Sequence, residues 1–186
     1  MKSATFLGNC SNIIDWNLVI DEIKHQIAPT VAPMRGMGYS KRVPDKIELS
    51  DEFEKTIEIW NTAGYKATDQ GGSVEWHMFY PDLNFDKAVV ERFCNYFNIQ
   101  SYNNCWISVI HPGNISPWHI DQYKIVEGNK RYHCQIGTPE MGHIFMLEDT
   151  YFLSGTQGDT YAWNDPKAWH SGVNAGKTPK FLFNMY

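Results

Sequence analysis

Trp118-His119-Ile120-Asp121 and, fifty-one residues after its histidine, Trp169-His170-Ser171-Gly172 decide how this chain is read. On a strand, residues i and i+2 point to the same side, so His119 and Asp121 converge as one imidazole and one carboxylate. His170 supplies a third donor. Two histidines and one carboxylate on one face of an iron, with three positions left open, form the facial triad of non-haem Fe(II) oxygenases. The open positions are the physical point, because co-substrate and O2 must both reach the metal. An HxD pair alone is weak evidence, since hydrogen-bonded structural histidines produce the same pattern by chance.

The surrounding spacing strengthens the reading. Ten residues after His170, Lys180 opens the strand-like run Lys180-Phe181-Leu182-Phe183-Asn184-Met185-Tyr186. It shares parity with Leu182 and Asn184 and so faces inward at the strand start, where a cation could hold the distal carboxylate of a co-substrate. Taken alone it is an ordinary solvated lysine. Arg131 and His133 share parity on Arg131-Tyr132-His133-Cys134-Gln135-Ile136 and could place two more donors into the same pocket. Ser108 shares parity with Trp106 and Ile110 on the strand before His111-Pro112-Gly113.

Ser108-Val109-Ile110-His111-Pro112-Gly113, then His119, Arg131-Tyr132-His133, His170 and Lys180, resembles the aspartyl/asparaginyl β-hydroxylase family of Fe(II)/2-oxoglutarate oxygenases. The likeness covers about residues 104–186. It implies a double-stranded β-helix, that is, a cupin-like jelly roll, which couples 2-oxoglutarate decarboxylation to hydroxylation. By resemblance, His119 and His170 bind iron, and Ser108 and Lys180 hold the far carboxylate of 2-oxoglutarate. Arg131 and His133 approach its near carboxylate or the substrate. Two departures stand out. The family's usual Arg is Lys180 here, a point charge in place of a bidentate fork. The animal protein-modifying members lack the carboxylate ligand that this chain has in Asp121.

Working outward, strand-like runs at 104–110, 131–136, 143–147, 150–153, 159–163 and 180–186 are separated by Gly, Pro and Asn turns, a spacing that predicts a sandwich or jelly roll. Val74, Trp76, Met78 and Tyr80 alternate along a further strand over 73–80. The first half reads as helical. Ile13, Trp16, Ile20, Ile23 and Ile27 form one apolar face of a helix capped by Ser11 or Asn12, Phe53, Ile57 and Trp60 mark a second opened by Ser50-Asp51, and Phe85, Val89, Phe93 and Phe97 mark a third. Between the first two, 28–44 reads as a long irregular loop. The expected architecture is mainly β, a single domain over 1–186, with flanking N-terminal helices and first strands in 1–100 buttressing a jelly-roll core with the metal site in 101–186.

The 186 residues, 42% apolar and 15% aromatic, can bury a core without disulfides. Net charge is −5, only residues 35, 42, 92 and 131 are Arg, and no basic block exists, so nucleic acid is not an expected partner. No apolar run reaches the ~20 residues of a membrane helix, and the N-terminus lacks an apolar stretch adequate for a signal peptide. Cysteines at 10, 94, 105 and 134 form no CxxC pair and read as reduced thiols in a cytoplasmic chain.

Other residues have two readings each. Trp118 and Trp163 flank the expected mouth and could stack on substrate, or could equally be packing. Asp165 could support His170, although Asn164-Asp165-Pro166 favours a turn. His111 and His77 read as strand-end and surface residues. Arg35 or Arg42, in a loop that could close over the site, could grip an anionic substrate.

The leading functional expectation is an Fe(II)/2-oxoglutarate-dependent dioxygenase. It would use O2 to hydroxylate an amino-acid-like small molecule, or an Asp/Asn-type side chain in a peptide. The alternative is a non-catalytic jelly-roll module that binds a metal or ligand. The absence of HxH, GxSxG, HExxH and P-loop motifs disfavours cupin isomerase and hydrolase readings.

Overall fold

Every residue of the strand Lys180–Met185 is buried, so both of its faces are covered, each by a different layer. Phe181, Phe183 and Met185 pack outward against helices, with the Phe183 ring 4.9 Å from Phe93 and 5.6 Å from Trp16. Leu182 points the other way and joins Phe145, Leu147 and Trp163 between two sheets. The period of two along one strand thus sorts a helix-facing core from a sheet-facing interior.

The computed structural model describes residues 3–26, 62, 74–79, 84–121, 130–153 and 155–186. In chain order it contains β1 (Ala4–Asn9), α1 (Trp16–Gln26), β2 (Val74–Met78), α2 (Asn84–Phe97), β3 (Cys105–Ile110), β4 (Ile115–His119), β5 (Arg131–Gln135), β6 (His143–Leu147), β7 (Thr150–Phe152), β8 (Asp159–Trp163), β9 (His170–Asn174) and β10 (Lys180–Met185). A six-stranded sheet in the order β1-β8-β5-β10-β3-β2 faces a four-stranded sheet in the order β4-β9-β6-β7, and the pairings are antiparallel. This is the mainly β jelly roll that the strand spacing predicts. No helix among the described residues is long and apolar enough to cross a membrane.

The helices α1 and α2 lay Trp16, Val19, Ile20, Ile23, Val89, Val90 and Phe93 on the outer face of the larger sheet. The first helix begins later than expected, at Trp16. Asp15 is its cap, accepting the Leu18 amide through Oδ1 at 3.1 Å. Ser11 is diverted into a turn, where its amide and hydroxyl both donate to Asn9 Oδ1. The second helix ends on Asn98, whose φ of 54° lets the Ile99 amide reach back to the Cys94 carbonyl at 2.9 Å. The helix expected from Phe53, Ile57 and Trp60, the loop 28–44 with Arg35 and Arg42, and the side chain of His77 lie outside the described residues.

Strands β1, β4 and β9 are not among the expected runs. Among the described residues β1 is an edge strand that pairs with β8 alone, and Phe6 and Leu7 remain exposed, so no alternation marks it. β9 is polar and contains Gly172, yet four of its five residues are buried. The turn His111-Pro112-Gly113 links β3 to β4, with Gly113 at φ 83°. Asn174 ties this corner to the start of β10. Its Nδ2 donates to the carbonyls of Ile110 at 2.7 Å and Thr178 at 2.8 Å, and its Oδ1 accepts from the Gly176 amide. That clamp sits beside the pairing of Lys180 with Ile110.

Candidate metal centre

β4 and β9 pair Ser116 with Gly172, then His119 with His170, with a register shift between the two. The shift is a one-residue bulge, and it brings the two imidazoles opposite one another with ring centroids 4.1 Å apart. Asp121, two residues past His119, points to the same side. Its Oδ1 stands 3.6 Å from His119 Nε2 and 3.5 Å from His170 Nε2. All three residues are buried, and their ligand atoms lie within 4.8 Å of one another.

The backbone sets the tautomers. His119 Nδ1 donates to the Pro117 carbonyl at 2.6 Å, and His170 Nδ1 donates to the Ala168 carbonyl at 3.1 Å. A carbonyl can only accept, so each Nδ1 holds the proton and each Nε2 turns a lone pair toward Asp121 Oδ1. Burial also lowers both pKa values, that of His119 to about 4 and that of His170 well below the ordinary histidine range. Both rings are therefore neutral near pH 7 and ready to ligate. Two neutral imidazole nitrogens and one carboxylate oxygen converging from one side fit a facially bound divalent ion.

Ser108, Ser116, Gly172, Leu182 and Asn184 line the same cleft, together with Trp106, Phe145 and Arg131. Asn184 Nδ2 donates to Ser108 Oγ at 3.1 Å. Lys180 points inward, as its parity predicts, but it is 1% exposed and does not line the cleft. Its Nζ donates to the Ile144 carbonyl and stands 5.5 Å from the Phe145 ring centre. Among the described residues no carboxylate pairs with it, and burial lowers its pKa to about 7.

Several expected positions differ in the structure. Arg131 pairs through Nη1 with Asp121 Oδ2 rather than standing open to a ligand carboxylate. Its guanidinium lies 3.9 Å from the ring centre of Trp163 and 5.4 Å from that of Trp106. Trp163 is not at the mouth. It is 1% exposed, packs edge-on against His170 at 4.8 Å and donates through Nε1 to His133 Nδ1 at 2.7 Å. That bond and the rings of Phe145, Phe152 and Tyr161 hold His133 in a neighbouring cavity, off the metal cleft. Trp118 lies on the bulge and is 39% exposed, its face opposite that of His119. Asp165 is exposed and caps a turn, its Oδ1 accepting the Lys167 amide at 2.8 Å. Sequence reasoning missed the Arg131–Asp121 pair and the lining by Ser116 and Gly172; shared parity with His170 was the available signal for Gly172.

No family model and no curated protein matches the sequence. Among solved structures, the chain is similar to the viral collagen prolyl hydroxylase of Paramecium bursaria Chlorella virus-1, solved as a 2OG complex. The TM-score is 0.55, covering 99% of this chain and 94% of that one at 13% identity. A Pseudomonas putida prolyl-4-hydroxylase covers 75% of this chain and 89% of its own, with a TM-score of 0.42 and 9% identity. A cupin domain from Bordetella pertussis covers 46% and 84%, with a TM-score of 0.33 and 16% identity. At 13% identity the viral match shows a shared fold and nothing finer. No comparison shows the aspartyl/asparaginyl β-hydroxylase family, so that likeness rests on the sequence motifs.

Proposed function

We propose that this chain is an Fe(II)- and 2-oxoglutarate-dependent oxygenase that hydroxylates a C–H bond and releases succinate and CO2. The observation that supports it is the meeting of His119 Nε2, His170 Nε2 and Asp121 Oδ1 on one buried point. His119, Asp121 and His170 would hold Fe(II) and leave its other face to 2-oxoglutarate and O2. Iron bound there supplies the activation of O2 that lets an unactivated C–H bond be oxidised. The chain's own part is to hold the donors in place, orient the co-substrate and exclude water.

Lys180 is the proposed anchor for the distal carboxylate of 2-oxoglutarate, its Nζ turning from the Ile144 carbonyl into the cleft as the co-substrate binds, with Ser108 and Asn184 offering hydrogen bonds along the cleft wall. Among the described residues no carboxylate pairs with this buried ammonium, which makes its charge costly, and a bound dicarboxylate would supply the compensating charge. The neighbour that shares this fold over almost the whole chain was solved with 2OG, which supports a co-substrate of that kind. The proposed substrate is an amino-acid-like small molecule or an Asp/Asn-type side chain.

Anaerobic titration of the apoprotein with Fe(II) and 2-oxoglutarate tests the reading. The expected result is a weak visible charge-transfer band that saturates at one equivalent and is lost in His170→Ala. A folded protein with no band would overturn the reading. Succinate formation then separates an enzyme from a jelly-roll module that only binds.

A further inference from the structure

Asp121 lies two residues beyond the end of β4, so no strand ladder sets the direction of its carboxylate. What sets it comes from the opposite sheet. Arg131 is the first residue of β5, and its Nη1 meets Asp121 Oδ2. That oxygen is buried and, among the described residues, has no other hydrogen-bond partner. Arg131 is itself held, 4% exposed and facing the rings of Trp163 and Trp106 at 3.9 and 5.4 Å. Its cross-strand partner is Trp163, which also touches His170 by its edge and donates to His133.

We propose that Arg131 is a positioning residue of the metal centre: clamped between two indoles, it engages Asp121 Oδ2 and leaves Oδ1 alone to face the ion. This rests on the metal-site reading and departs from the role that the sequence resemblance implies for Arg131. A carboxylate can bind a metal through one oxygen or two, and a guanidinium on the second oxygen selects the first mode. The clamp keeps one coordination position from being closed by the protein. It also turns Asp121 toward both Nε2 atoms, which the chain beyond β4 does not do.

Co(II) as a spectroscopic probe, added to the full chain without 2-oxoglutarate, tests this. Tryptophan fluorescence reports occupancy, because Trp106 and Trp163 flank the clamp. The visible ligand-field band reports coordination number. Arg131→Met is expected to weaken Co(II) binding roughly 10–100-fold, as is usual when a ligand loses its supporting partner. Its band should also change intensity as Oδ2 becomes free to bind. Arg131→Lys retains one charged donor and is expected to recover part of both signals; it decides the matter if the Met variant does not fold. Wild-type Co(II) affinity and spectrum in both variants, with weakening only of subsequent 2-oxoglutarate binding, would overturn the proposal and return Arg131 to the co-substrate. Equal Co(II) binding by wild type and His170→Ala would sink the metal-site reading itself.

Discussion

His119 stands opposite His170 because of one extra residue in β4. Ser116 pairs with Gly172, and a regular ladder continued from there would set Trp118 against His170. The bulge advances the register by one, so His119 takes the place facing the cleft and Trp118 turns to solvent. A histidine moved to 118 should therefore be useless to the site. His119→Ala is expected to abolish metal binding, and adding Trp118→His to that variant is expected not to restore it. Calorimetric Fe(II) titration of the two variants checks this, and recovery in the double variant would mean the register is regular.

Acid should destabilise the metal-free protein through the two ligand histidines. Burial depresses the folded-state pKa of His119 to about 4 and that of His170 well below normal, against an unfolded value of ~6.5. As pH falls below ~6.5 the unfolded chain takes up protons that the folded chain refuses, so stability drops. For His119 the fall runs to about pH 4 and amounts to roughly 3 kcal/mol. Urea unfolding at stepped pH is the measurement. Saturating metal should raise the whole profile but keep its slope and extend it below pH ~4, since the ion holds the folded rings neutral while the unfolded chain still takes up protons.

Replacing Lys180 should separate stability from co-substrate binding. Its folded-state pKa is lowered to about 7 by burial, against an unfolded value of ~10.4. The unfolded chain thus holds an extra proton between those values, and stability rises with pH across that window. Lys180→Met is expected to remove this slope and to raise the melting temperature of the free protein at neutral pH by a few degrees. The same variant is expected to need roughly tenfold or more 2-oxoglutarate for half-maximal succinate formation. An unchanged requirement would place Lys180 outside the site.

Gly172 lets β9 approach β3 behind the metal cleft. A Cβ built there would stand 2.6 Å from Ile110 Cδ1. Gly172→Ala is expected to cost about 1 kcal/mol, since the obstructing atom is a side-chain tip that can shift. Adding Ile110→Val removes that tip and is expected to recover most of the loss, giving a non-additive pair in chemical denaturation. Additive losses would show that the strain lies elsewhere.

Much of this protein is local in origin and could be read from sequence. The pattern marked β2, β3, β5, β6, β7, β8 and β10, read His119 and Asp121 as facing one side and turned Lys180 inward with Leu182 and Asn184, because side-chain alternation needs no knowledge of the partner strand. The apolar spacing of Trp16, Ile20 and Ile23 marked α1 in the same way.

What the sequence could not show depends on which strands meet. The register of β4 against β9 joins residues more than fifty positions apart, and the bulge that makes it work leaves no periodic mark. The Arg131–Asp121 pair crosses from one sheet to the other. Trp163 reads from sequence as either a substrate-facing mouth residue or packing, and tertiary structure decides for packing: β8 lies between β1 and β5, and the ring is engaged by Arg131, His133 and His170. β1 and β9 escaped because an edge strand with exposed apolar residues and a polar strand burying its site residues both lack the usual alternation. Local pattern settled which residues face inward; packing of the two sheets against each other settled what they face.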